Sequence, residues 1–480
     1  MQGLHGTGGW IRGARRVALA GLAVLALGAP PLSAQSLTDT LVAAYRNSNL
    51  LDQNRATLRA ADEDVAQAVA SLRPVVNFVA RSQAQFNQDS LRGDSSQLSA
   101  SLNLSATVTL YDFGRGQLGV QAAREQVLAV RSALVGLEQQ VLLNAIAAFM
   151  DVRSATDTVA LRESNVRLIT QELRAAQERF EVGEVTRTDV AIAEARLAGA
   201  RSLLAAAQGD LQIAREAYRF ATGTAPSQLR QPPALPATAR NLDAAQQVAR
   251  VTHPSIRQAQ HEVAAADLNA ERAAAQRLGS VTGSASAGFG TSRSLDAAPQ
   301  GVQRSGTNQS ASLGLEYSRP IYSGGALSSQ NRQAIARRDA ARSNLHQTVA
   351  QVLQNVAQAW SRMEVASARI DASERQIRAA QTAYDGVREE AALGARTTLD
   401  VLNAEQELLD ARAALVSEQA QLQVAAYSVL EAMGLLTVDH LNLGIPTYDP
   451  EAYFNAVQNA PARSAQGEAL DRVLQSLGRQ

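Results

Sequence analysis

The sequence predicts an α+β membrane protein made by internal duplication, in which each chain supplies four membrane strands joined to very long coiled helices. Three observations carry that prediction. Apolar heptads run for dozens of residues on either side of a glycine turn, the whole device recurs at an offset of 211 residues, and two regions alternate strictly between polar and apolar side chains.

The turn Leu393-Gly394-Ala395-Arg396-Thr397-Thr398-Leu399-Asp400 organises the chain. Running into it, Leu345, Val349, Val352, Val356, Ala359, Met363, Ala366, Ile370, Ser373, Ile377, Ala380, Tyr384, Val387 and Ala391 keep a 4-3 spacing, with Ser373 the one non-apolar member. Running out, Val401, Ala404, Leu408, Ala411, Leu415, Glu418, Leu422, Ala425, Val429 and Ala432 keep it too, so the chain doubles back as a second helix. Gly394 supplies the left-handed residue that ends the first helix, and Thr397 stands as N-cap of the second. Subtracting 211 maps Gly394 to Gly183, Thr397 to Thr186, Asp400 to Asp189 and Ser373 to Arg162, so both arms share one register. That is duplication.

Composition narrows the function. Of 480 residues, 46% are apolar but only 4% aromatic, which suits thin alanine-rich helices better than large cores. Lys plus Arg equals Asp plus Glu at 45 each, which leaves no basic field for nucleic acid. The absence of cysteine excludes disulfides, thiolate metal sites and an acylated N-terminal cysteine. His253, His261 and His346 are scattered, with no metal-ligand cluster and no nucleophile pattern, so neither enzyme nor cofactor is expected; His253-Pro254 reads as a loop end.

In chain order, Arg12, Arg15 and Arg16 precede an apolar run from Val17 to Ala29 and then Pro30-Pro31-Leu32-Ser33-Ala34, which predicts a signal peptide over 1–34. A membrane anchor is the alternative, but a span needs about 20 residues. No later stretch reads as a transmembrane helix. Leu37 to Leu72 reads as one helix ending before Pro74. The period then becomes two. Ser99, Ser101, Asn103, Ser105, Thr107 and Thr109 alternate with Ala100, Leu102, Leu104, Ala106, Val108 and Leu110, and Val76, Phe78, Ala80, Ala84 and Phe86 form the apolar set of a preceding strand. The result is a hairpin over 75–111, and a matching one follows over 280–322. Each strand is expected to hold the 9–11 residues that cross a bilayer at a tilt; an amphipathic sheet packed on a soluble core is the alternative.

Both hairpins feed long helices through matching junctions, Tyr111-Asp112-Phe113-Gly114 and Tyr322-Ser323-Gly324-Gly325, with Asp112 and Ser323 as N-caps. Gly114 to Glu181 makes a helix about 100 Å long. Its return helix stops near Thr222. A Pro-rich link over 223–241 follows, then a helix from Leu242 to Arg277, and the two shorter helices stack end to end beside a long one. The division is therefore 35–222 and 242–436 for the repeats, with 437–480 an equatorial or disordered tail that holds an amphipathic run at 470–477. Four strands cannot close a barrel in lipid, so several copies must join, and an open pore favours three or more.

On these features, hairpin, long helix, glycine tip, return helix and all of it again, the mature chain resembles the TolC family of outer-membrane channel-tunnels. Tyr111, Asp112 and Gly114, then Pro320, Tyr322 and Gly324, and the paired Gly183–Asp189 and Gly394–Asp400 segments carry the resemblance. It implies a homotrimer whose 12 strands form a transmembrane β-barrel in the outer membrane, continuous with an α-helical coiled-coil barrel in the periplasm. It also implies an exit duct for efflux or type I secretion, a periplasmic adaptor on the tips, and an inner-membrane pump or ABC exporter.

By position, the resemblance puts Asp400 in an acidic ring at the periplasmic mouth, with Arg396 bonding Thr188 and Asp189 of the neighbouring hairpin. Asn403 stands where some members carry a second ring aspartate, and Ala391 where a latch tyrosine can occur. Val182, Gly183, Leu393 and Gly394 are the adaptor contacts so implied. The Thr186/Asp189 and Thr397/Asp400 spacings equally fit capping boxes, and the tip glycines equally fit turn geometry. A soluble periplasmic scaffold or adaptor is the alternative reading of the whole chain.

Overall fold

A computed structural model describes residues 34–88, 95–295, 305–461, 468 and 472. The leader apart from Ala34, and the tail run at 470–477 apart from Arg472, lie outside the described residues. The elements in order are α1 (Leu37–Asn47), α2 (Asn49–Ala70), β1 (Val75–Asn87), β2 (Ser95–Tyr111), α3 (Arg115–Glu181), α4 (Arg187–Thr222), α5 (Leu242–Thr252), α6 (Pro254–Ala275), β3 (Ser280–Ser294), β4 (Ser305–Ser318), α7 (Ala326–Ala392), α8 (Thr398–Ala432) and α9 (Pro450–Val457).

The four strands form one antiparallel sheet in the order β1-β2-β3-β4. Its register lines up side chains of one kind. Val76, Ala106, Ala285 and Leu313 share a row, as do Phe78, Leu104, Ala287 and Ala311, while Asn77, Ser105, Ser286 and Ser312 share a row of the other face. The apolar face is uncovered within the chain: Phe78 is 67% exposed and Leu313 90%. The strands hold 13 to 17 residues, more than the 9–11 expected. The ladder continues because backbone pairing needs no apolar side chain, and polar pairs such as Gln85 with Gln97 extend it.

The long helices α3 and α7 each have 67 residues, related by 211. All seven buried residues of α7 (Val352, Val356, Ala359, Ala366, Ser373, Ala380 and Tyr384) lie on the heptad seam. Near the sheet the helices lie side by side as α2, α3, α6, α7; at the far end the order is α4, α3, α8, α7. The largest core surrounds the middle of α3, where Leu142, Ile146, Phe149 and Met150 meet Leu37 and Leu41 of α1, Tyr218 of α4, Leu430 of α8, and Leu436 and Val438 beyond it. By length and composition α3 passes as a membrane span, contrary to the expectation that no such stretch follows the leader. Its apolar middle is instead occupied by this protein core.

The stretches 37–72 and 242–277 are each two helices, not the single helices expected. Ser48 leaves the helix at φ −75°, ψ 104° and its hydroxyl caps the next helix at the Leu51 N–H. His253, restricted by Pro254, sits at φ −64°, ψ 125°. Both breaks receive the end of a return helix. A Cβ on Gly223 would lie 2.8 Å from Asn47 Cβ, and one on Gly434 would lie 2.6 Å from His253 Cα, with both glycines at positive φ. Ser36 and Ser48 correspond to Asn241 and His253 at an offset of 205, so the second hairpin as a whole is longer by six residues and the duplication is otherwise in register.

The segment after α8 returns to the first repeat. Tyr453 donates to Glu63 Oε1 at 2.7 Å, Arg131 stacks on Phe454 at 5.1 Å, and Arg73 donates to the Asn459 and Ala460 carbonyls.

These glycines make a stability test. Gly183 also needs positive φ but has nothing within 4 Å of its Cβ position, whereas Gly434 faces backbone. Gly183→Ala should cost only the left-handed penalty of about 1–2 kcal/mol, and Gly434→Ala clearly more. Denaturation of the detergent-solubilised protein followed by circular dichroism checks this; equal midpoints would contradict it.

Candidate functional site

The turns furthest from the sheet are built identically. Val182 and Leu393 close the long helices at φ −93° and −90°, and Gly183 and Gly394 follow at φ 81° and 77°. Glu184 N–H reaches Arg179 O and Ala395 N–H reaches Glu390 O, both at 2.9 Å, while each glycine N–H bonds the carbonyl three residues back at 3.0 Å; this is the six-to-one closure that caps a helix C-terminus. Val182 is 71% exposed and Leu393 86%, so each tip presents an uncovered apolar side chain.

The following helices open with reciprocal caps. Thr186 donates through N–H and Oγ1 to Asp189 Oδ2 at 2.9 and 2.7 Å, and Asp189 N–H returns to Thr186 Oγ1 at 3.3 Å. Thr397 and Asp400 repeat this at 3.0, 2.8 and 3.2 Å. The Thr186 hydroxyl and backbone N–H hold the Asp189 carboxyl below its ordinary value, and the Thr397 N–H and hydroxyl do the same for Asp400. Both aspartates are therefore ionised at neutral pH and fixed in direction.

Arg396 is not joined to Thr188 or Asp189 within the chain. Its Nε donates to Glu390 Oε2 at 2.8 Å, across the same turn, with both side chains about half exposed. Thr188 is exposed. Asn403 lies off the turn, its Oδ1 accepting from Arg196 of α4 at 2.9 Å, so it ties the two hairpins together.

At the sheet end, Asp112 Oδ2 accepts from Gly116 N–H at 2.7 Å and Ser323 Oγ from Leu327 N–H at 3.5 Å. Both supply the predicted capping oxygens, but the N-cap positions belong to Gly114 and Gly325, at φ 82° and 87°, because a left-handed residue is needed where strand turns into helix. Tyr111 and Tyr322 are exposed, and Gly324 is also left-handed at φ 61°.

One contact between the hairpins escapes the heptad reading. Leu402 of α8 packs among Ile169 of α3 and Ala193, Leu197 and Ala200 of α4, while its neighbour Val401 packs with Ala380 and Tyr384 of α7. Below Leu402, Glu405 is only 4% exposed and its Oε1 accepts from Asn165 Nδ2 at 2.7 Å, with Oε2 buried and unpartnered. Burial pushes the Glu405 carboxyl up to about 7. The signal was present as a second stripe, Leu402, Glu405 and Leu409, one residue out of phase with the seam; the glutamate in it reads as a surface residue. Elsewhere, buried His253 is driven down to about 4 by desolvation and uses Nδ1 to accept from Ser255 N–H, while His261 pairs with Glu125 at 2.8 Å. Among the described residues no cluster is placed to hold a metal ion.

A folded-state acid raised above its unfolded value binds its proton where the unfolded chain has released it, so its stabilisation is complete below about pH 4.5 and lost as pH rises through about 7. Glu405→Gln should remove that part of the pH dependence and gain about 1–3 kcal/mol per chain on the wild type at pH 8. Urea midpoints of both proteins at pH 5 and 8 check it, and parallel shifts would contradict it.

Comparison with known proteins agrees with this geometry. A sequence model of outer membrane efflux proteins matches residues 40–224 and 235–435. The chain is 34% identical over 426 residues to the outer membrane efflux protein BepC of Brucella suis, covering 88% of this chain and 91% of that one. It is 26% identical over 436 residues to the outer membrane protein TolC of Escherichia coli, covering 85% of each. Among solved structures, the outer membrane protein VceC of Vibrio cholerae superposes with a TM-score of 0.69 at 23% identity, over 83% of this chain and 96% of that one.

Proposed function

This chain belongs to the outer membrane efflux protein family, and from that premise we propose that three copies close one 12-stranded barrel on top of one helical tunnel. The protein resides in the outer membrane and extends into the periplasm as the exit duct of an efflux or secretion system. The observation that carries the trimer is the sheet. Its apolar rows face outward uncovered, and β1 and β4 end it with unpaired backbone that lipid cannot satisfy. Three sheets joined edge to edge remove every edge and leave the polar rows around water. A soluble scaffold would leave Phe78, Leu313 and Leu315 in water for no return.

In this reading 35–222 and 242–436 are the two structural repeats, 223–241 is the equatorial linker, and 437–461 joins the belt. The exposed Val182 and Leu393, with Gly183 and Gly394 behind them, form the surface for a periplasmic adaptor, and an inner-membrane pump or exporter supplies the energy. Three Asp400 carboxylates, each fixed by its cap, form a ring at the mouth. Arg396, held by Glu390 in the chain alone, reaches Thr188 and Asp189 of the adjoining hairpin in the closed trimer. An exposed pair of this kind contributes about 1 kcal/mol or less, weak enough for a docking partner to release.

Planar-bilayer recordings test both residues. Arg396→Ser should raise single-channel conductance, and unchanged conductance discards the latch. Asp400→Asn should weaken block by multivalent cations from the periplasmic side, and unaltered block reduces Asp400 to a helix cap.

A further inference from the structure

Where β4 meets the helices, the second repeat carries an arginine-lined pocket. A cavity of about 690 Å³ lies where the sheet meets the helices, walled by Arg277 and Arg319 together with apolar Phe113, Leu278 and Ile321, and by one acid, Glu271. Gly279 builds it. At φ +90°, its Cα presses so close to β4 that a Cβ would collide with the Ser318 carbonyl oxygen and crowd Arg319. Tyr317 locks the same corner by donating to Leu278 O at 3.2 Å. The two arginines are thereby held on adjoining backbones, and among the described residues neither guanidinium has an ion-pair or hydrogen-bond partner.

The duplication provides an internal control. At the offsets of 205 and 211, Leu72 and Val108 occupy the places of Arg277 and Arg319. The corner arginine of the first repeat, Arg73, is instead engaged by the tail carbonyls of Asn459 and Ala460. Two unpaired guanidinium groups in the second repeat are thus a feature of that repeat and not a by-product of the fold. The helices α3 and α7 flank α6 here, and the wall residues named above all come from one chain.

Its place in the molecule selects the ligand. The pocket adjoins the end of the apolar sheet face at the row of Val281 and Tyr317, and Ile321 and Tyr322 beside it are 90% and 88% exposed. Aromatic and aliphatic side chains with arginine at such a level suit the boundary between acyl chains and headgroups. We infer that this pocket binds the phosphate headgroup of an anionic phospholipid in the periplasmic leaflet, one per chain. The guanidinium groups take the phosphodiester oxygens in forked hydrogen bonds, and Phe113, Leu278 and Ile321 take the glycerol and first acyl carbons. Two arginines against one glutamate leave a net positive wall, which favours phosphatidylglycerol over a zwitterionic lipid. The apolar half of the wall disfavours free phosphate.

The inference rests on the outer-membrane reading above, and native mass spectrometry separates the two because it weighs the oligomer and counts its lipids together. Detergent-purified protein is titrated with phosphatidylglycerol or phosphatidylcholine, as wild type, Arg319→Gln, Arg277→Gln/Arg319→Gln, and the distant exposed control Arg215→Gln. The expected result is up to three phosphatidylglycerols per trimer, bound at least tenfold more tightly than phosphatidylcholine by wild type and control. Arg319→Gln should lose part of that preference and the double variant about tenfold. Trimers with equal affinity for both lipids, or a double variant that binds like wild type, would overturn the inference alone. A detergent-independent monomer would overturn the membrane reading with it.

Discussion

Unpaired peptide groups at the two edges of the four-stranded sheet are the constraint from which the rest follows. In water such an edge is tolerable; in hydrocarbon each missing hydrogen bond costs several kcal/mol. The apolar rows headed by Val76 and Phe78 commit one face of this sheet to lipid, so the edges β1 and β4 must find partners at that depth. In the proposed assembly, further copies supply them. In that assembly the helices hanging from the sheet close with it, since Gly114 and Gly325 join strand to helix within a few residues and leave little freedom between the layers.

Duplication solves the geometry twice, and the differences between the copies mark where they have specialised. The tips, their caps and the glycines at the ends of the return helices are superposable in register. The contrasts lie between them. In α8 one stripe serves its own hairpin through Val401 and Leu408, and another serves the first hairpin through Leu402 and Glu405. Over the matching stretch its counterpart α4 buries one stripe, Ala193, Leu197, Ala200, Ala207 and Leu211. The link between hairpins therefore runs through α8, close to the helical tips, and includes a carboxyl whose proton is lost near neutral pH. A marginal buried contact near the helical tips is well placed to open.

Much of this was legible in the residues because the strongest signals are periodic. A 4-3 spacing held over 14 positions and an alternation without a break leave little room for other structures, and Thr397 with Asp400 is a capping box by spacing alone. What escaped was non-periodic. The breaks at Ser48 and His253 depend on glycines about 180 residues away in sequence, Gly223 and Gly434. Glu405 hides because a lone acid on an apolar stripe reads as solvent-facing until the partner helix is known. Arg396 was paired from its neighbourhood in a trimer, whereas the single chain offers Glu390 first. Arg277 and Arg319 are ordinary in sequence and become a pair only through the turn at Gly279.

The mass of the purified particle bears on the central claim most directly. Light scattering coupled to size-exclusion chromatography in mild detergent, with the detergent contribution subtracted, should give three chains per particle and precipitation once detergent is withdrawn. One chain per particle, remaining in solution without detergent, would contradict it.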